Sequence, residues 1–156
     1  MAEDPFTRLT DGNALLVATV DERGVPFATR GWGVVRSPDD PDLVRLVLDA
    51  DDVAASAGAF VPGGPIAITG ADPVTVRSSQ AKGHIVGLEE LGPDDVATSS
   101  RHKRMTFAAI CEADHVDREL LERIAPRRLA VCTVRVEEHY DQTPGPGAGA
   151  PVGPGT

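Results

Sequence analysis

The sequence predicts a mainly β (α+β) fold, a barrel of six short antiparallel strands with short helices at its flank. Three observations predict it. Six short runs are apolar and rich in β-branched residues. Glycine, proline and aspartate turn signals separate the runs. The order reads β-β-β-α-β-β-α-α-β, so strands and helices do not alternate as a doubly wound sheet requires, and a closed barrel removes the exposed edges.

The first strand is NALLVATVD, Asn13 to Asp21. Gly24 supplies the positive φ of a tight hairpin, and VPFATRGWGVV, Val25 to Val35, returns. Gly31 and Gly33 weaken that strand and predict a bulge or the close approach of another group. SPDDPD is a loop, and LVRLVLDA, Leu43 to Ala50, is the third strand. Asp51 and Asp52 suit the start of a short helix that Gly58 ends. PIAITG is the fourth strand. The stretch ITGADPVTVRSSQAKGHIV, Ile68 to Val86, continues into a fifth that ends near Glu89.

Gly92-Pro93-Asp94-Asp95 opens a helix, with proline early and acids in the first turn. Val96, Phe107 and Ile110 are expected on its buried face. A second helix follows the capping residue Asp117 and stops at Pro126. RRLAVCTVRVEEHY, Arg127 to Tyr140, is apolar on both faces and reads as a central strand. Residues 1–141 then form the domain. The tail, residues 142–156, is dominated by proline and glycine and is either a disordered end or an extended arm laid on something.

The chain has 156 residues, which suits one core, and a formal net charge of −9. That charge argues against nucleic acid and against an anionic membrane surface as partners. No apolar run reaches the length of a membrane span, and the acidic N-terminus lacks a signal-peptide core, so a cytoplasmic protein is expected. Cys111 and Cys132 have no metal-type spacing.

The concentration of polar groups from Arg77 to Lys82 is the strongest functional signal. On a strand, Ser78, Gln80, Lys82 and His84 share one face; Arg77, Ser79, Ala81 and Gly83 share the other. Gln80 and Lys82 then stand roughly 7 Å apart and suit a carbonyl-rich or phosphate-bearing ligand. Gly83 lets a backbone or a flat ring come close. The competing reading is a solvated strand face. TRGWG, Thr29 to Gly33, is the second signal. Arg30 can bind a phosphate, Gly31 can admit a ligand, and Trp32, the only tryptophan, either flanks a ring or packs in the core. The Arg101–Arg104 run, RHKR, points in four directions around its helix and reads as solvated.

The segments LLVATVDERGVPFATRGWGVV, GPIAITGADPVTVRSSQAKGHIV and DQTPGPGAG, in that order, resemble the pyridoxamine 5′-phosphate oxidase-like proteins, the flavin-binding split-barrel family. The resemblance implies a six-stranded antiparallel split β-barrel, a homodimer, and flavin mononucleotide (FMN) in the groove between subunits. It implies that Arg30, Gly31, Trp32, Arg77, Ser78, Ser79, Gln80 and Lys82 lie at that cofactor, and that the flavin carries an oxidoreductase reaction on an unidentified small substrate. The chain departs from the family where basic residues hold phosphate after the third strand. Here LDADDV places Asp49, Asp51 and Asp52, and carboxylates repel phosphate at a few ångströms. The alternative is therefore a non-redox barrel that binds haem, a deazaflavin or no cofactor at all.

Overall fold

A computed structural model describes residues 4–10, 12–56 and 58–153. A 3-10 turn (Thr7–Leu9) leads to β1 (Ala14–Val20), β2 (Pro26–Arg36), β3 (Leu43–Asp49), α1 (Ala50–Ala55), β4 (Pro65–Ala71), β5 (Ser78–Glu89), α2 (Pro93–Asp114), α3 (Arg118–Glu122) and β6 (Leu129–Asp141). The strands close into an antiparallel barrel in the order β1-β2-β3-β6-β5-β4. The predicted fold class is thus the observed one, and β6 is central, between β3 and β5.

Period-two alternation sets the inner face. In β1, Leu15, Val17 and Thr19 are buried while Leu16, Ala18 and Val20 are exposed. Leu15 and Val17 meet Leu46, Leu48, Ile68, Ile85 and Val134 in the barrel core. Phe6 and Leu9, from the N-terminal turn, plug one end of that core. Burying such side chains contributes roughly 1.5–3 kcal/mol each. Cys111 and Cys132 are free thiols, and burial pushes that of Cys132 up to about 12.

Two glycines do structural work. The predicted bulge lies between Gly31 and Gly33, where the β2–β3 register shifts. Gly33 has φ +150°, and a Cβ there would stand 3.2 Å from Thr98 Cγ2, so α2 packs directly on this glycine. At Gly83 the group that comes close is another backbone: a Cβ would lie 1.8 Å from the Arg135 carbonyl oxygen.

A second cluster covers part of the outside. Trp32, Val47 and Phe107 pack with Leu121, Ala125 and Leu129, so α2 and α3 sit on the outer face of β2, β3 and β6. Trp32 and Phe107 meet edge to face, centroids 6.1 Å apart. The buried face of α2 is more polar than expected. Val96 is exposed, whereas Asp95, Thr98, Ser99, His102 and Thr106 are buried. His102, within the run read as solvated, lies under the helix with Thr106, whose hydroxyl donates to the Asn13 carbonyl at 3.3 Å. Asp95 anchors the helix start: it accepts from Gly92 N–H at 2.8 Å and takes a two-point ion pair from Arg45, at 3.0 and 2.6 Å. α3 ends at Glu122, before Pro126, so the proline does not terminate it. No helix among the described residues is long and apolar enough to cross a membrane.

The C-terminal segment is the extended arm. β3 stops pairing at Arg135, which leaves the edge of β6 open beyond it. The arm fills that edge through a Tyr140–Pro151 bridge, with Val152 N–H donating to the His139 carbonyl (2.7 Å) and Asp141 N–H to the Ala150 carbonyl (2.9 Å). Proline has no N–H to donate, and Pro151 needs none here, because the bonds flanking the bridge run through the Val152 N–H and the Ala150 carbonyl.

Candidate functional site

Five strands present outward-facing side chains to one uncovered surface. Antiparallel partners share a face, so the register places them in rows. One row reads Arg30, Leu16, Thr69, Gln80, Tyr140, from β2 through β1, β4 and β5 to β6. The next reads Ala28, Ala18, Ala67, Lys82, Glu138. The middle of this shelf is therefore flat, made of alanines, Thr69 and Leu16, the last 56 % exposed. Polar groups stand at both margins. Three strand spacings separate Arg30 from Gln80, roughly 14–15 Å between backbones.

The margins are chemically distinct. On the β5–β6 side the Gln80 amide donates to Thr69 Oγ1 at 2.8 Å, which fixes the side chain and leaves its carbonyl oxygen for another partner. Lys82 Nζ sits 4.7 Å from the centre of the Tyr140 ring. The Tyr140 hydroxyl donates to Glu138 at 2.9 Å, and this bond, first, holds its pKa above the usual tyrosine range, so the phenol stays protonated at neutral pH. On the β2 side Arg30 makes no ion pair among the described residues. It borders a hollow of about 400 Å³ shared with Leu16, Trp32, Asp49 and Asp52.

The three acids of the β3–α1 turn have local partners. Asp49 caps α1 by accepting from Asp51 N–H at 2.8 Å. Asp51 pairs with Arg128, and Asp52 accepts from the Thr29 hydroxyl. Asp49 and Asp52 nonetheless face the hollow beside Arg30, so a phosphate there meets two carboxylates as well as a guanidinium.

The residues singled out from sequence divide into three groups. Arg30, Gln80 and Lys82 share the outward face, Arg30 at one margin and the other two at the opposite one, with Ser78 on the same face of β5. Gly31 and Trp32 are buried: Gly31 faces the core, where a Cβ would stand 2.8 Å from that of Leu15, and Trp32 is 4 % exposed against Phe107. Trp32 also lines the hollow beside Arg30. Arg77 lies in the turn before β5, and Ser79 faces inward near Pro5, its hydroxyl 3.5 Å from that carbonyl oxygen. Both belong to a different pocket. Sequence reasoning missed Tyr140, Leu16, Thr69 and the alanines. The signal available for them was the outward register of LLVATV and PIAITG, whose exposed positions are small.

No family model matches the sequence, and no curated protein matches it. Among solved structures, HupZ of Group A Streptococcus superposes with a TM-score of 0.55 at 18% identity, over 96% of this chain and 100% of that one. A histidine-to-alanine variant of HupZ gives a TM-score of 0.53 at 17% identity, over 90% and 99%. A pyridoxamine 5′-phosphate oxidase-related, FMN binding protein of Nostoc punctiforme aligns over 92% of this chain and 82% of its own, at 16% identity and a TM-score of 0.44. The likeness to HupZ shows a shared fold, and the chain has the split-barrel fold that the sequence resemblance implies.

Proposed function

We propose that the shelf binds a flat conjugated cofactor of the flavin class, FMN, between two copies of this chain, and that the bound flavin serves an oxidoreductase acting on a small substrate. The observation that carries this reading is the row Arg30–Leu16–Thr69–Gln80–Tyr140, with its alanine row beside it. Small side chains let a planar ring approach a sheet closely. Gln80 offers a fixed carbonyl, and Lys82 offers a positive charge to an electron-rich ring edge. Arg30, across the shelf, suits the phosphate end. Flavin supplies hydride and electron transfer, and the protein's part is to bind, orient and exclude water. A second copy laid on the shelf would cover Leu16 and the alanines and enclose the ring.

The residues fit the ring better than the phosphate. Asp49 and Asp52 beside Arg30 favour a second reading, a non-redox module that takes haem, a deazaflavin or no cofactor. The test is a visible absorption spectrum of the purified protein after incubation with FMN and desalting. A retained flavin band, with affinity reduced at least tenfold by Lys82→Met and by Gln80→Leu at unchanged circular dichroism, supports the first reading; tenfold corresponds to about 1.4 kcal/mol. Undiminished affinity in both variants sinks it. A Soret band in place of a flavin band moves the conclusion to the second.

A further inference from the structure

Lys82 and Glu138 are direct cross-strand partners in the β5–β6 register, and both are exposed on the outward face. Opposite charges so placed ordinarily pair. Here they do not. Lys82 Nζ lies 4.7 Å from the centre of the Tyr140 ring, and the Glu138 carboxylate accepts from the Tyr140 hydroxyl at 2.9 Å. We propose that Tyr140 is the positioning residue of this margin of the shelf: it occupies Glu138 and carries Lys82 on its ring, so that the ammonium is presented to an anionic or electron-rich ligand edge. The proposal rests on the flavin reading for the identity of that ligand, and on the geometry of the three side chains for the rest.

Each part of the arrangement has a local cause. Tyr140 stands opposite Gln80, so it lies diagonal to Lys82, within reach of a long side chain. Its main chain is fixed from the other side by the arm. Tyr140 bridges Pro151, flanked by the bonds from Val152 N–H to the His139 carbonyl and from Asp141 N–H to the Ala150 carbonyl. Gln80 donates to Thr69 Oγ1. The next acid along β6, Glu137, has its own partner in His84, whose Nδ1 is 2.8 Å away.

Lys82 and Glu138 cancel in net charge, so what a ligand meets is decided by where the donors point. An ammonium locked on a carboxylate spends its N–H groups there, whereas one lying over a ring keeps them for a ligand. A phenol that donates to a carboxylate is polarised toward phenolate, which makes its ring the more attractive to a cation. All three groups are near the surface, where ion pairs are weak, so Tyr140 tunes Lys82 by a few-fold and does not replace it.

The test is a pair of variants read in two ways. Tyr140→Phe keeps the ring and removes the hydroxyl, which releases Glu138 to Lys82. FMN should then bind about threefold more weakly, or worse, at unchanged circular dichroism. Tyr140→Phe/Glu138→Gln also removes the competing carboxylate and should recover the parent affinity or exceed it. A merely structural tyrosine would give no such recovery. The second readout needs no flavin. Trinitrobenzenesulfonate, an anionic amine reagent, is applied to the full chain, and its two lysines are followed separately by peptide mass. Lys103, paired with Glu122 at 3.3 Å, is the internal reference. Lys82 labelling should slow about threefold in Tyr140→Phe and recover in the double variant. If the parent retains no FMN but labelling follows this pattern, the flavin reading fails and the positioning role stands. The proposal is overturned if Tyr140→Phe labels at Lys82 as fast as the parent, or if the double variant stays as slow as Tyr140→Phe. It is overturned equally if the parent binds FMN and Tyr140→Phe binds it as tightly.

Discussion

The barrel has two outer faces that differ in what covers them. Under α2 and α3 the sheet presents Trp32, Val47 and Leu129, with Val47 fully buried and Phe107 descending onto them. Around the barrel, over β1, β4 and β5, it presents Ala18, Ala67, Thr69 and Leu16, of which Leu16 and Ala18 are exposed and Ala67 and Thr69 half-buried. The covered face uses bulky side chains because burial of large apolar area is what holds a helix on a sheet. The open face uses small ones, which gain little from burial and leave the sheet flat. A flat, half-apolar surface with fixed polar margins is suited to a ligand or a second copy, not to a helix of its own. The contrast can be broken at three places.

The largest effect is expected on the covered face. Phe107→Ala removes a side chain only 2 % exposed, together with its edge-to-face contact with Trp32. It should destabilise the chain by about 3–5 kcal/mol, read as a lowered urea midpoint at unchanged slope. A loss below about 1 kcal/mol would mean that α2 is not held by this cluster.

Next comes the polar anchor of the same helix. Arg45, by its two hydrogen bonds, holds Asp95 below the usual carboxylate range, against burial and with help from Gly92 N–H. A carboxylate depressed in the folded state stabilises above its unfolded pKa, near 3.8, and that contribution is lost as pH falls through the folded value. Asp95→Asn should therefore lower stability at pH 7 by about 1–3 kcal/mol, because it leaves the partly exposed Arg45 without its partner. The gap between variant and parent should narrow below about pH 4. A gap that stays constant from pH 7 to pH 3 would remove the ion pair from the account.

These contrasts also explain what could be read in the sequence. Every strand was legible, because period-two alternation and turn residues are local signals: LLVATV and PIAITG announce their inner faces directly. The polar run at Gln80 and Lys82 was legible for the same reason. Arg77 and Ser79 were grouped with them because adjacency in sequence hides the side to which each residue turns. Ser79 faces inward, and Arg77 precedes the strand. Trp32 carried two readings: it packs against Phe107 under α2, and it also lines the hollow beside Arg30. His102 and the polar underside of α2 were not legible, because charged neighbours on both sides mask a single buried position in a helix. Nor was the pairing of the arm, which depends on where β3 stops rather than on any residue of the tail. The shelf itself emerges only from register, since Arg30 and Tyr140 are more than a hundred residues apart yet share a row.

The smallest effect on stability, and the sharpest on function, is expected at Leu16. It is the large aliphatic side chain of the Arg30–Tyr140 row, and it is already 56 % exposed in the single chain. Leu16 is more than half exposed in the single chain, so Leu16→Asp should change the stability of the monomer by no more than about 0.5 kcal/mol. If the shelf receives a second copy, the same substitution places a carboxylate at the centre of that contact, next to Arg30 in the row and on the bare alanines. Arg30 stands opposite position 16 and can pair with that carboxylate, but desolvating both charges in the contact costs more than the pair returns. Sedimentation should then show the parent as a dimer and Leu16→Asp as a monomer with an intact fold, and FMN retention should fall with dimerisation. If Leu16→Asp instead lowers the unfolding midpoint as far as Phe107→Ala does, the open face is part of the monomer's own core energetics, and the distinction between the two faces fails. If neither assembly nor FMN retention responds, the shelf is a solvated surface, and the small residues reflect only the packing of the barrel beneath them.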